Sequence, residues 1–234
     1  MLTSSAVAST HRRRQFIRSG QKRVSYRRGR AGFSLLELLA VVGIVMVVAA
    51  IAIPNVEKAT RAVRLYGAGT DYSNLLQNAR IRAVKDDKYY TVLTDTGTNP
   101  PIAFVDINGN GTYDSALHEP MMPFRPNTTP APFASGPSVA NLKQQFLPPT
   151  PSGQASLAAG GGPPTFGPRG LPCTPIAGAG GTTCPYLMPP NFTPTSFITF
   201  IQGPNGGWGA VTVTPAGRIR QWAYDGAGNW SPLN

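Results

Sequence analysis

Sixteen apolar or small residues run unbroken from Leu38 to Ile53 in this 234-residue chain, and one carboxylate, Glu37, stands at the mouth of the run. Counted from Phe33, the stretch reaches 21 residues, enough for a helix to cross a hydrocarbon core about 30 Å thick. It is too long for the core of a cleaved secretory signal, which holds roughly 7 to 15 residues before a small-x-small cleavage site. A plain single-pass anchor accounts for the length but leaves Ser34 and Glu37 unexplained. An unpaired carboxylate in hydrocarbon is costly, and an ionisable residue placed there marks a function by default.

The charge is as uneven as the hydropathy. A net charge of +11 and a pI near 10.2 first suggest a nucleic-acid binder. Residues 1–32, however, carry nine Lys and Arg and no acid, while the remaining 202 residues carry twelve basic and ten acidic side chains, a net of +2. The basicity therefore belongs mostly to a tail in front of an apolar segment, which is a topology signal: positive flanks stay on the cytoplasmic side.

One pattern uses every residue of the segment. "AGFSLLELL" followed by "AIAIPNVEKA" resembles the class III signal of type IV pilins and pseudopilins. The resemblance implies a basic leader, residues 1–32, removed by a prepilin peptidase after Gly32, with N-methylation of the new terminus at Phe33. Glu37 becomes the fifth mature residue and Pro54 the twenty-second, both at the family's spacing. A leader of 32 residues is long for the family. The resemblance further implies a single-pass protein of a bacterial inner membrane, with its head in the periplasm, that joins other pilins or pseudopilins through an inner-membrane assembly platform. The physics agrees. In a stack of subunits, Glu37 meets the Phe33 ammonium of a neighbour, and each neutralises the other in low dielectric. Gly43, Ala49, Ala50 and Ala52 let helices approach closely. Pro54 removes a backbone hydrogen bond and is expected to kink or locally melt the helix.

Residues 33–54 are thus read as the membrane and polymerisation helix, 55–87 as its amphipathic continuation, and 88–234 as a β-rich head. In the continuation, Tyr72, Leu75, Leu76, Ala79 and Ala83 recur at spacings of three and four, an apolar face that needs a sheet against it. "GAG" at Gly67–Gly69 reads as a weak point between two helical pieces, with Asp71 capping the second. The helix should end at Asp86 or Asp87. "KYYTVLTD" and "PPIAFVDI" then read as strands.

In "DINGNGTYD", Asp106, Asn108, Asn110 and Asp114 partly match the alternating oxygen ligands of a calcium loop. The twelfth position is Leu117, so the bidentate glutamate is missing, and Glu119 stands two residues late. An Asn/Gly hairpin turn is the favoured reading and calcium the alternative. "FVDINGNG" also resembles a turn of GspH/FimT-type pseudopilins.

Residues 120–194 hold 18 of the 24 prolines. Such composition should propagate neither helix nor central strand and reads as a long surface insertion, partly ordered at best. Cys173 and Cys184, the only cysteines, would form a disulfide in an oxidising periplasm, worth about 2–3 kcal/mol. They are not a CxxC pair, so a redox or zinc role is not indicated. "TSFITFIQ", "GAVTVTPAG" and "GRIRQWAYD" read as closing antiparallel strands. The expected core is the helix face with Val92, Phe104, Phe197, Phe200, Val211, Val213 and Ile219. The fold class is α+β, pilin-like: one long helix on an antiparallel sheet.

"GRIR", Gly217–Arg220, resembles the GRxR motif of FimT-type minor pilins that bind DNA in natural transformation. Arg218 and Arg220, two apart on a strand, would share a face and grip successive phosphates. The plainer reading is two solvent-side arginines flanking a core-facing Ile219. No P-loop, HExxH or GxSxG occurs, and His118 is the only histidine after residue 32, so no catalytic residue is assigned. Two functions follow: a minor pilin or pseudopilin of a type II secretion pseudopilus or type IV pilus, and, as the alternative, a DNA-binding uptake pilin using Arg218 and Arg220.

Overall fold

A computed structural model describes residues 32–150, 153–174, 176–178, 181–183 and 195–233. Helix α1 spans Leu35–Asp86. The chain divides within it into two compact units, one ending at Val48 and the other beginning at Ala49. In the first unit the described helical residues are exposed.

The second unit holds the rest of α1 and two antiparallel sheets. Strands β1 (Tyr90–Asp95), β2 (Ile102–Asp106) and β3 (Met121–Pro123) pair with β6 (Thr165–Phe166) and β7 (Pro172–Cys173) in the order β3-β2-β1-β6-β7. Strands β4 (Thr129–Ala131), β8 (Thr195–Gln202), β9 (Trp208–Val213), β10 (Ile219–Tyr224) and β11 (Trp230–Pro232) form the second sheet, ordered β11-β10-β9-β8-β4. A two-residue strand β5, Ser156–Leu157, pairs parallel to β8. The unit also holds a short helix α2, Ala140–Phe146, and two small antiparallel hairpins, Pro149–Thr150 with Gly153–Gln154 and Ile176–Gly178 with Gly181–Thr183. This is the α+β, pilin-like architecture that the hydrophobic pattern implies.

The expected apolar face of α1 is fully buried, and Leu65, Ala68 and Gly69 extend it. It packs against inward residues of both sheets: Val92, Ala103 and Val105 from the first, Phe197, Ile201, Val211 and Val213 from the second. Small residues such as Ala68, Ala79 and Ala83 bring the sheets close to the helix backbone. Burial pushes the Tyr72 phenol up to about 12, against the lowering effect of its 3.1 Å hydrogen bond with Thr199 Oγ1. The folded value lies above the unfolded one, so the stability it represents is complete below about pH 10. That stability is lost as the pH rises through about 12, a decline of about 2–3 kcal/mol at 1.36 kcal/mol per pH unit. Alkaline denaturation followed by circular dichroism should show this loss in the wild type and not in Tyr72→Phe.

Four expectations need correction. Helix α1, which includes Pro54, continues through Gly67–Gly69 without a break. Asp71 is not a cap: it lies mid-helix and accepts a hydrogen bond from Arg125 Nε at 2.8 Å. Gly67 serves that contact, since a Cβ there would collide with the Arg125 guanidinium. The glycines that look like helix breakers are notches on which another element rests. The helix ends in a Schellman turn, with Asp87 at φ 53° and the Lys88 N–H bonded to the Ala83 carbonyl at 3.1 Å.

The second correction concerns residues 120–174. Met122, Phe124, Leu142, Phe146 and Phe166 are buried, and β6 is an interior strand. The third is the core itself. Phe200 faces away from α1 into a second cluster with Leu142, Phe146, Trp222 and Trp230 under α2, and Phe104 packs edge-on against Tyr113. The fourth is Arg218, which precedes β10 instead of standing on it.

Candidate functional site

The N-terminal site is built by the start of α1. Gly32, Phe33 and Ser34 precede the helix, and the Ser34 carbonyl accepts the first helical bond, from Leu38 N–H at 3.1 Å. The Gly32–Phe33 peptide bond therefore lies outside the helix. Phe33 is 77% exposed. Glu37 lies in the first helical turn, where a carboxylate is favoured by the helix dipole. It has no ion-pair partner among the described residues. Beyond it, large apolar side chains from Leu38 to Ile53 are all exposed, a surface that requires lipid or other apolar helices to cover it. Among the described residues, one helix is long and apolar enough to cross a membrane.

Residues 27–53 match the prokaryotic N-terminal methylation motif. The matched stretch is 27 of the 234 residues, and it gives the chain a prepilin-type N-terminus, which supports a type IV pilin-like reading. The matched interval contains Gly32, Phe33 and Glu37 and stops one residue short of Pro54. A prepilin-type motif implies processing by a prepilin peptidase and assembly with other pilins in a filament. No curated protein and no solved structure matched the chain.

The head contains other residues singled out above. In the Asp106–Asp114 loop the side-chain oxygens turn to backbone amides. Asp106 accepts from Gly109 and Gly111 N–H at 2.7 and 2.9 Å, Asn108 from Asn110 at 3.0 Å, Asn110 from Thr112 at 2.8 Å, and Asp114 from Ala116 at 2.8 Å. Each residue of the calcium-like pattern thus organises the turn itself. The residue that sequence reasoning undervalued is Glu119. It is 3% exposed, and its two oxygens accept from Ile107 and Asp114 N–H at 2.9 and 2.8 Å, closing the loop at both ends. Replacing Glu119 with Ala orphans both amides and should cost about 3 kcal/mol, read as a lowered thermal midpoint. Added calcium should not restore it.

Arg218 is exposed, and Arg220 is half-buried with its guanidinium 5.9 Å from the Trp222 ring. The Arg220 Nε is buried without a partner. Arg80 on α1 reaches the same turn and donates to the Gly217 carbonyl at 3.0 Å. Gly217 has φ 77°, and a Cβ there would lie 3.1 Å from Arg80 Cζ. The glycine is needed for both its backbone angle and that approach. The structure therefore brings a third arginine, which the four-residue pattern does not show, to the turn that carries Arg218. Cys173 is disulfide-bonded, and Cys184 lies outside the described residues.

Proposed function

We propose that this chain is a minor pilin or pseudopilin, of the GspH/FimT type, that assembles into a type II secretion pseudopilus or a type IV pilus. The observation that carries this reading is the methylation motif running into a fully exposed apolar helix with one unpartnered carboxylate in its first turn. The role is mechanical. Gly32–Phe33 is the processing point, Glu37 pairs with a neighbour's methylated Phe33 ammonium, and the helix polymerises. The head is held in the periplasm, where the Cys173–Cys184 bond forms, and supplies contacts along or at the tip of the fibre. This reading assigns no catalysis and no cofactor. Coexpression with a prepilin peptidase and mass spectrometry of the product should give N-methyl-Phe33 as the mature terminus; any other terminus overturns it.

A second reading, a DNA-binding pilin for uptake, draws support from the cations at the Thr214–Arg220 turn. Neither Arg218 nor Arg220 forms an ion pair among the described residues, which leaves both to neutralise phosphate. A gel shift at two salt concentrations tests it. Replacing both arginines with alanine should weaken binding and flatten the salt slope by roughly two phosphate contacts. Unchanged affinity rejects this reading and leaves the filament role standing.

A further inference from the structure

The sequence holds three Asn-Gly pairs, at Asn108–Gly109, Asn110–Gly111 and Asn205–Gly206. In such a pair the main-chain nitrogen of the glycine can close a five-membered ring on the asparagine Cγ, and glycine places no Cβ in the way. The reaction needs a nitrogen that can lose its proton, a side-chain amide free to turn, and room for the backbone to leave its resting angles. The three pairs differ in these respects.

In the Asp106–Asp114 loop both attacking nitrogens are held by one buried carboxylate. Gly109 and Gly111 N–H donate to the two oxygens of Asp106 at 2.7 and 2.9 Å. A hydrogen bond to a charged acceptor is strong, and a negative charge beside the amide opposes loss of its proton. The side chains are fixed as well. Asn108 Oδ1 accepts from Asn110 N–H at 3.0 Å, and Asn110 Oδ1 accepts from Thr112 N–H and Oγ1–H at 2.8 and 3.1 Å.

Asn205 stands at the tip of the β8–β9 hairpin, in the single helical turn Pro204–Gly206. It is exposed, with φ 59°, and Gly206 follows at φ 80°. Among the described residues its side chain forms no hydrogen bond, and no carboxylate holds the Gly206 N–H. A Cβ on Gly206 would meet nothing within 4 Å, so the attacking residue has room to turn. The base of this tip carries part of the core. Gly203 N–H donates to the Gly207 carbonyl at 2.8 Å and closes it. Gly203, Gly207 and Gly209 form the bed of Leu65 on α1, since a Cβ on each would lie 3.3, 3.6 and 3.5 Å from a Leu65 methyl carbon.

We propose that Asn205 is a site of spontaneous deamidation, a modification that loosens the seat of Leu65 on the second sheet, and that Asp106 protects the other two pairs from it. The Gly206 nitrogen gives its proton to solvent and bonds to Asn205 Cγ. The Cγ–Nδ2 bond breaks, and Nδ2 takes a proton from solvent and leaves as ammonia. Water then opens the succinimide. Addition at Cγ gives aspartate, and addition at the main-chain carbonyl gives isoaspartate, whose main chain runs through Cβ. The net change is one water in and one ammonia out, with no oxidation. Both products place a carboxylate on the tip. Isoaspartate also adds one main-chain atom between Gly203 and Gly207, so the closing bond and the bed of Leu65 shift together. This inference is independent of the filament role.

The test ages the full chain in detergent micelles at mildly alkaline pH, folded and in urea, and follows each Asn-Gly peptide by digestion and mass spectrometry. In the folded chain Asn205 should convert at least about tenfold faster than Asn108 and Asn110, the protection a charge-assisted hydrogen bond in an ordered loop confers. In urea the three rates should converge, because each asparagine precedes a glycine. Once Asn205 has converted, hydrogen exchange at the Gly203 amide should quicken about tenfold. Asn205→Gly accepts the same φ and should age with no change at Gly203. The proposal is overturned if folded Asn205 converts no faster than the other two, or if its lead persists in urea. It is overturned equally if Gly203 exchange is unchanged after conversion, or quickens in Asn205→Gly as well.

Discussion

Glu37→Ala should abolish incorporation into filaments while leaving cleavage after Gly32 and the fold of the head unchanged. Glu37 stands in the first turn of α1, outside the unit that holds the head, and has no ion-pair partner among the described residues. Its stability cost is therefore near zero. Its assembly cost is large, because a lone ionised group packed among apolar helices is penalised, by about 3 kcal/mol where it is fully inside hydrocarbon. Only a charge brought by another subunit offsets that penalty, and removing one member of such a pair leaves the other stranded. Glu37→Gln keeps shape and hydrogen bonding but not charge, so it should fail nearly as badly, which separates charge pairing from packing. The measurement is the ratio of protein in sheared filaments to protein in membranes, with mass spectrometry confirming normal processing. Wild-type filament levels in Glu37→Ala would sink the pairing account.

The sequence made the helix and the closing strands readable because each carries a period. The face Tyr72–Leu75–Leu76–Ala79–Ala83 is buried as the 3.6-residue repeat requires, and Val211 and Val213 alternate into the same core. What resisted reading was tertiary. Gly67 looks like a helix breaker until Arg125, 58 residues away in sequence, lies across it. The Pro-rich stretch looks structureless because composition averages over positions. Its strand prolines sit on sheet edges, where a missing N–H costs nothing. The proline-free pair Thr165–Phe166 forms the interior strand β6. Helix α2 escaped because seven residues are too few to show periodicity. At the candidate sites, the motif around Gly32 and Glu37 is local and was legible. Glu119 and Arg80 act on residues 12 and 137 positions away, and no spacing rule joins them.

Trp222→Ala should be the most destabilising single substitution in the head, at about 4–8 kcal/mol. Two terms add. Truncating a large buried aromatic costs about 3–5 kcal/mol in transfer and cavity terms, and Trp222 is 1% exposed at the centre of the cluster formed by Phe200, Leu142, Phe146 and Trp230. Its Nε1–H also donates to Thr212 Oγ1 at 2.8 Å. Thr212 is fully buried, so losing that donor leaves a hydroxyl unsatisfied, about 1–3 kcal/mol. Since whole domains are stable by only about 5–15 kcal/mol, the variant should be largely unfolded at moderate temperature. Trp222→Phe separates the terms: it keeps most of the volume and loses the hydrogen bond, and should cost about 1–3 kcal/mol. Urea denaturation of the full chain in detergent, followed by far-ultraviolet circular dichroism, measures both. A loss below about 1 kcal/mol for Trp222→Ala would mean that the outer face of the second sheet is not a core. The same ring lies under Arg220, so Trp222→Phe also bears on the arginine pair. If that stacking positions Arg220 for phosphate, the conservative variant should keep DNA affinity even as it loses stability.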